Sequence, residues 1–422
     1  MSRVWYIHPA ENLHTGAASR LGCGVSVRLG VSSAVMFISA WALTLSVQHD
    51  WAMREPRYVE RAADVSTLSF AYSVIQKAGN MDKTVLEQKI DVVLPWVDGG
   101  DAEWQASKER YKEMASADKS DSRYRDWENL RYVFRGIENF WPWVNKVFLI
   151  TCGQKPGWLN MQHEKLVLVN HEDYIPKEYL PTFSSNTIEL NLHRIEALSE
   201  HFIYLNDDFF PICPLQSTDF FREGLPCDSA AQQNLLSIHV EGDTNIQYID
   251  FTNLGLLNAH FRKREVTRGH LGKWYGTYLG LHGMIQALIK ANQHFFTGFS
   301  MHHSAQPFLK SSFKTVWEHY PEYLHRHCLN KFRQDTDVNQ WLVRYWQLAE
   351  NRFSPYSMKR RQIYRVSMQN VDEIVAAITN RQYDITSVND SPRLSHAEFL
   401  QVKQRINQAL ERLLPRKSMF EV

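Results

Sequence analysis

An amide and two adjacent carboxylates, Asn206-Asp207-Asp208, follow directly on the apolar run Phe202-Ile203-Tyr204-Leu205. Neighbouring anions are costly unless a cation, an arginine or a polar substrate compensates them. The pair therefore suits metal binding or proton transfer. A further carboxylate, Asp98, stands at the Asp98-Gly99 turn that closes the strand-like Ile90-Asp91-Val92-Val93-Leu94. His303 adds a proton acceptor, and Arg131, Arg194 and Arg333 add cations able to meet a phosphate. Each has a bland competitor. Asn-Asp and Asp-Gly clusters are common solvated turns, the arginines suit a solvated helix face, and a histidine ahead of a helix serves as a cap or a surface residue.

The elements that must hold these groups read as an α/β fold. Short apolar runs at Lys146–Thr151 and Leu166–Val169 join those at 90–94 and 202–205 as buried strands. Each ends in polar residues: Cys152-Gly153-Gln154 after one, Asn170-His171-Glu172-Asp173 after the next. Strands alternating with helical or loop segments predict a mainly parallel sheet with right-handed crossovers. Ligands bind at the carboxyl ends of such strands.

Leu130, Phe134 and Ile137 recur at helical spacing, with Asp126 as a candidate N-cap and Arg131 and Arg135 one turn apart on one face. The hydroxyl-rich loop Leu180–Asn186 opens a helix expected over 187–198. Its N-terminus suits a phosphate, unless Asn186 is simply the cap. Glu189, His193 and Glu196 form a polar stripe on that helix. Helices are also expected over 101–118, 253–291, 307–320 and 341–348, so the C-terminal part is mostly helical. Residues 392–422 read as an amphipathic tail with a basic end.

Composition narrows the class. The chain has 422 residues, 44% apolar and 22% charged, with formal net charge +1, which gives no global field for nucleic acid. Its five cysteines are scattered without a CxxC pair, so neither a disulfide framework nor a zinc site is indicated, and a reducing compartment is expected. The organisation expected is an N-terminal extension over 1–85, a catalytic domain over 86–391 and the helical tail. Residues 29–47 form an uncharged run of 19, a candidate membrane anchor at the minimum spanning length. Met81 is an alternative start.

Four stretches, in order, resemble the Stealth family of sugar-phosphate transferases. That family includes bacterial capsule polysaccharide phosphotransferases and the lysosomal-enzyme N-acetylglucosamine-1-phosphotransferase. The first is Ile90–Gly99. The second runs from Arg125–Arg131 through Leu180–Asn186 to Tyr204–Asp208. The third joins His303, Phe308–Phe313, Lys331–Arg333 and Asp337–Trp341, and the fourth is Ser387–Ser391.

The resemblance implies a nucleotide-sugar transferase-like fold and transfer of hexose-1-phosphate or N-acetylhexosamine-1-phosphate from a UDP-sugar to a sugar hydroxyl, with UMP released. It implies Asp98, Asp207, Asp208, His303 and Arg333 as the catalytic set. Asp98, Asp207 and Asp208 would be oxygen ligands for Mg²⁺ or Mn²⁺. Arg131, Gln154, Asn186, Glu189, His193 and Arg194 would contact substrate or phosphate. His303 would be the base, with Asp207 and Asp208 as alternatives. The acceptor would be a glycan or a lipid-linked polysaccharide, met in the cytoplasm or at the inner face of a membrane. An ordinary glycosyltransferase releasing UDP and a non-catalytic carbohydrate-binding protein are the rival classes.

Overall fold

A computed structural model describes residues 88–112, 125–236 and 245–422. The 1–85 extension, the 29–47 run and Met81 lie outside the described residues, as do 113–118 of the first expected helix.

The chain enters through β1 (Ile90–Pro95) and α1 (Ala102–Lys112), then α2 (Leu130–Phe140), β2 (Val147–Thr151) and β3 (Leu166–Asn170). Two short helices follow, α3 (His171–Tyr174) and α4 (Ser185–Leu190), and then β4 (His201–Tyr204) and β5 (Phe209–Pro211). The main sheet has the order β3-β2-β1-β4 and closes on an edge strand, β8 (Gln306–Leu309). β1, β2, β3 and β4 are mutually parallel. From β1 the chain builds outward to β3, then returns to place β4 on the other side of β1. The order therefore reverses between β1 and β4, where an open sheet leaves a crevice at its carboxyl edge.

Side-chain alternation gives the sheet two apolar faces, as a sheet covered on both sides requires. Val92, Leu94, Val147, Leu149 and Ile203 join one core with α2. Val93, Phe148, Ile150, Phe202 and Tyr204 join the other. Leu130, Val133, Phe134 and Ile137 of α2 are all buried, as their spacing predicts, each such side chain contributing roughly 1.5–3 kcal/mol. At Gly136 the helix crosses β5 so closely that a Cβ would stand 2.5 Å from the Pro211 carbonyl oxygen.

Two small sheets complete the β structure. β6 (Phe221–Arg222), β7 (Leu225–Asp228) and β9 (Ser354–Pro355) form one. β10 (Arg361–Arg365), β11 (Ile385–Asn389) and β5 form the other, with β11 parallel to β10 and antiparallel to β5. The helical part comprises α5 (Asn245–His260), α6 (Lys263–Thr267), α7 (Leu271–Tyr275), α8 (Gly280–Ile289), α9 (Lys310–His319), α10 (Pro321–Cys328), α11 (Gln340–Ala349), α12 (Val371–Thr379) and α13 (His396–Leu413).

Four local expectations change. The helical stretch expected over 253–291 begins earlier, at Asn245, and is divided among α5, α6, α7 and α8. The helix expected from Pro307 begins only at Lys310, because Gln306–Leu309 is β8, paired antiparallel with β4. The helix expected over 187–198 starts at Ser185 and ends at Leu190, giving way to a 3₁₀ turn at Leu192–Arg194. Asp126 does not cap α2: Asn129 holds that position, and Asp126 Oδ1 accepts from the Glu128 amide at 2.8 Å. Among the described residues no helix is long and apolar enough to cross a membrane.

Candidate active site

The β1 and β4 strand ends bring Asp98 and Asn206-Asp207-Asp208 to the crevice where the strand order reverses. Gln154, from the end of β2, fixes the first of these. Its Oε1 accepts from the Asp98 amide at 2.8 Å and its Nε2 donates to the Asp98 carbonyl at 3.0 Å. The Asp98 carboxylate takes the Gly100 amide at 2.8 Å. Gln154 thus shapes the strand end that presents a carboxylate.

Asp208 is half buried, and its Oδ1 has neither accessible surface nor a hydrogen-bond partner. Its carbonyl accepts from Val388 of β11 at 3.0 Å, which anchors the acidic turn between the two sheets. The surrounding protein raises its pKa, and the charges of Asp207 and Asp390 raise it further. Asp207 opens to solvent in this cleft, yet protein mass around it and the charge of Asp126 push its pKa up as well. Two groups absent from the expected set thus belong here. Asp126 faces solvent, close enough to feel Asp98. Asp390 is held by both arms of the Arg125 guanidinium, at 2.7 and 2.8 Å.

The result is an open acidic floor with more carboxylates than cations. Asp207 and Asp208, with Asp98 and Asp126 nearby, are the oxygen donors available to a divalent cation. Among the described residues no three His, Cys, Asp or Glu side chains converge into a preformed metal cage.

His303 stands beside this floor, its Nε2 3.4 Å from Asn206 Nδ2 and its ring edge-on to Phe209 at 4.7 Å. Burial, then the nearby Arg333 charge, lowers its pKa to about 4. The imidazole is therefore neutral at pH 7 and able to take a proton. Arg333 donates to the Ser185 hydroxyl at the start of α4. Glu189, one turn on, accepts from Tyr204 of β4 at 2.8 Å; burial raises its pKa and the Arg333 charge opposes that rise. Arg333 therefore faces Ser185, Glu189 and His303 together.

The remaining expected residues divide. Arg131 lies over the Trp158 ring at 5.6 Å. Asn186 is spent inside the fold: its Nδ2 donates to Asp337 Oδ2 at 3.1 Å, while Asp337 Oδ1 meets His327 Nδ1 at 2.9 Å. His193 stacks against Phe313 and Trp317, with its pKa lowered by burial to about 3. Arg194 covers Trp317 at 4.8 Å and bonds Asn191. Those two face α9 rather than the carboxylates. Arg135, one turn from Arg131 on the same helix face, is buried and gripped by Glu421, Glu411 and the Leu414 carbonyl, which rules out the solvated face for it.

Comparison with known proteins covers the first two of the four stretches by family model. Residues 88–115 match the family model described as Stealth protein CR1, conserved region 1, and residues 123–227 match Stealth protein CR2, conserved region 2. The chain is 38% identical over 340 residues to the receptor polysaccharide phosphotransferase WefC of Streptococcus oralis, covering 79% of this chain and 99% of that one. It is 37% identical over 339 residues to the capsular polysaccharide phosphotransferase WcwK of Streptococcus pneumoniae, again 79% and 99%. The exopolysaccharide phosphotransferase cps2G of Lactiplantibacillus plantarum is 32% identical over 333 residues, 79% and 96%.

Proposed function

The chain belongs to the Stealth family, and from that premise we propose that it is a polysaccharide phosphotransferase that moves a hexose-1-phosphate or N-acetylhexosamine-1-phosphate from a UDP-sugar to a sugar hydroxyl, releasing UMP. One observation carries the reading. At the sheet's reversal point, partly uncompensated carboxylates follow Asn206, which meets a neutral histidine with an arginine close by, the complement needed to place a diphosphate beside a hydroxyl.

In this reading the acceptor oxygen attacks the donor's β-phosphorus. A new phosphorus–oxygen bond forms as the bond to UMP breaks, and the sugar–oxygen bond survives. His303, neutral above about pH 4, takes the hydroxyl proton. Arg333 faces the charge that builds on the transferring phosphoryl group.

Mg²⁺ or Mn²⁺ fits the donor set as a cation that brings its own phosphate oxygens: one or two carboxylates plus substrate phosphates is the usual Mg²⁺ arrangement, and the exposed Asp207 carboxylate can serve, with Asp208 beside it. Bound there, the ion would neutralise the diphosphate. Asp207 and Asp208 are its proposed holders, with Asp98 beside them. The polymer acceptor and a cytoplasmic or membrane-surface setting belong to the same reading.

The test is a panel of UDP-sugars with a saccharide acceptor, scoring UMP against UDP. UMP with a phosphodiester product is expected, abolished by EDTA and cut about 100-fold or more by Arg333→Gln. UDP with a glycoside product would make the chain an ordinary glycosyltransferase and sink the proposal.

A further inference from the structure

A cavity of about 470 Å³ lies apart from the acidic floor, with Arg222, Tyr356, Lys359 and Arg361 among its lining residues and Asp219 and Asp384 also on its wall. Asp384 immediately precedes β11, and Asp390 at the active site immediately follows it. With the five residues of β11 between them, the two lie roughly 20 Å apart at the usual strand rise.

The cations of this cavity are unequally used. Arg360 is committed to Asp384 at 2.8 Å. Asp219 is engaged by the Tyr356 hydroxyl at 3.1 Å and the Gln216 amide at 2.8 Å. Arg361, only 9% exposed, donates to the Ala305 carbonyl at 2.7 Å and lies over the Phe220 and Tyr356 rings. Among the described residues no carboxylate pairs with it, unlike the buried guanidiniums of Arg135 and Arg344, which hold Glu421 at 2.7 Å and Asp228 at 2.8 Å. Burial lowers the Arg361 pKa, opposed by charge from Tyr356, Asp228 and Asp219 at longer range. At the rim, Arg222 bonds the Thr218 carbonyl and lies over the Tyr356 ring at 5.2 Å, with no carboxylate partner among the described residues. Lys359 is exposed and has no hydrogen-bond partner among the described residues.

A buried guanidinium with no carboxylate in contact, topped by the rim cations Arg222 and Lys359, is a socket for an anion. Its size suits a sugar phosphate. The Tyr356 ring already carries two guanidiniums, so it is not free to stack a nucleobase, while the carboxylates of Asp219 and Asp384 can accept from sugar hydroxyls.

We propose that this cavity binds a phosphate ester carried on a saccharide, and that during synthesis it holds a phosphodiester of the polymer already made. The polymer as source rests on the proposed function; the anion site does not. Grip on the finished strand would keep its growing end near the acidic floor and favour repeated transfer.

The test uses the full chain and the double variant Arg222→Gln/Lys359→Gln, both exposed side chains outside the transfer centre. Calorimetric titration, without any UDP-sugar, uses α-glucose 1-phosphate and a short phosphodiester-linked oligosaccharide as probes. The oligosaccharide is expected to bind the variant at least about tenfold more weakly, the scale of losing one charge-assisted bond or more. UMP release with a short acceptor should be unchanged, while product chains shorten. Equal binding by both proteins overturns the site. Binding of glucose 1-phosphate without the oligosaccharide overturns the polymer assignment. Absence of UMP from every donor, with the binding difference intact, would instead remove the proposed function and leave the anion site standing.

Discussion

Asp228–Arg344 and Asp207–Asp208 are two concentrations of charge built in opposite ways. Asp228 is 1% exposed, and both its oxygens are used: Arg344 donates to each at 2.8 and 3.0 Å, Ser229 donates its amide and Gln306 its side-chain amide. Arg344 then reaches the carbonyls of Ser229 and Ser300, bracing the loop that leads to His302 and His303. At the sheet edge, by contrast, Asp207 and Asp208 adjoin Asp126 and Asp390 with one oxygen of Asp208 wholly unpartnered. The closed cluster is finished by the chain itself. The open one lacks positive charge that a substrate complex would bring, which is the pattern of a site rather than a scaffold.

Breaking the closed cluster should have the largest effect. Arg344→Met leaves Asp228 buried and unpaired and is expected to cost about 3–5 kcal/mol, read by chemical denaturation. The double variant Asp228→Leu/Arg344→Met should recover much of that loss. A single variant as stable as the parent would show that the pair is not the brace described.

The open cluster should respond in reverse. Asp208→Asn is expected to lower kcat for UMP release by about 100-fold or more, while metal-free stability stays within about 0.5 kcal/mol or rises. Loss of stability with retained activity would exchange the roles of the two clusters.

The difference between them also explains what the sequence could reveal. β1, β2, β3 and β4 are short apolar runs ending in polar residues, and period and burial are local properties. Asp98, Asp207 and Asp208 follow from those strand ends, and His303 and Arg333 from the family resemblance. Asp390 was legible only as part of a weak match, since its role depends on β11 pairing with β5 and on Arg125, 265 residues away. Asp126 looked like a cap because capping residues and site carboxylates share a residue type. Asn186 was misleading for a similar reason: a polar residue at a loop–helix junction reads as ligand-facing, whereas Asp337, brought from another element, claims it. β8 was hidden because an antiparallel edge strand runs straight into the helix that follows.

A third cluster tests the closed pattern at lower strength. Burial would raise the Glu421 pKa, but hydrogen bonds and charge from Arg135 prevail and lower it below 4.5. A carboxylate with a depressed folded pKa stabilises above its unfolded value, and the benefit disappears as pH falls through the folded one. Glu421→Gln is therefore expected to cost about 1–2 kcal/mol at pH 7. The gap from the parent should narrow below pH 4.5, where the parent's own Glu421 takes up a proton. Urea denaturation at two pH values reads it, and a gap that does not change with pH would remove the ionic account of the tail's attachment.

The smallest effect belongs to a cation the sequence grouped with the phosphate contacts. Arg194 covers Trp317, bonds Asn191 and faces α9, whereas Arg333 meets Ser185 and shapes the charge at His303. Arg194→Gln should leave kcat/KM within about twofold, the range of a substitution away from the site. Arg333→Gln should reduce it by about 100-fold or more, as loss of a transition-state donor does. Both are read by the same UMP assay. A loss above about tenfold for a folded Arg194→Gln would mean that substrate reaches the α9 side, and the acidic crevice would then be only part of the site.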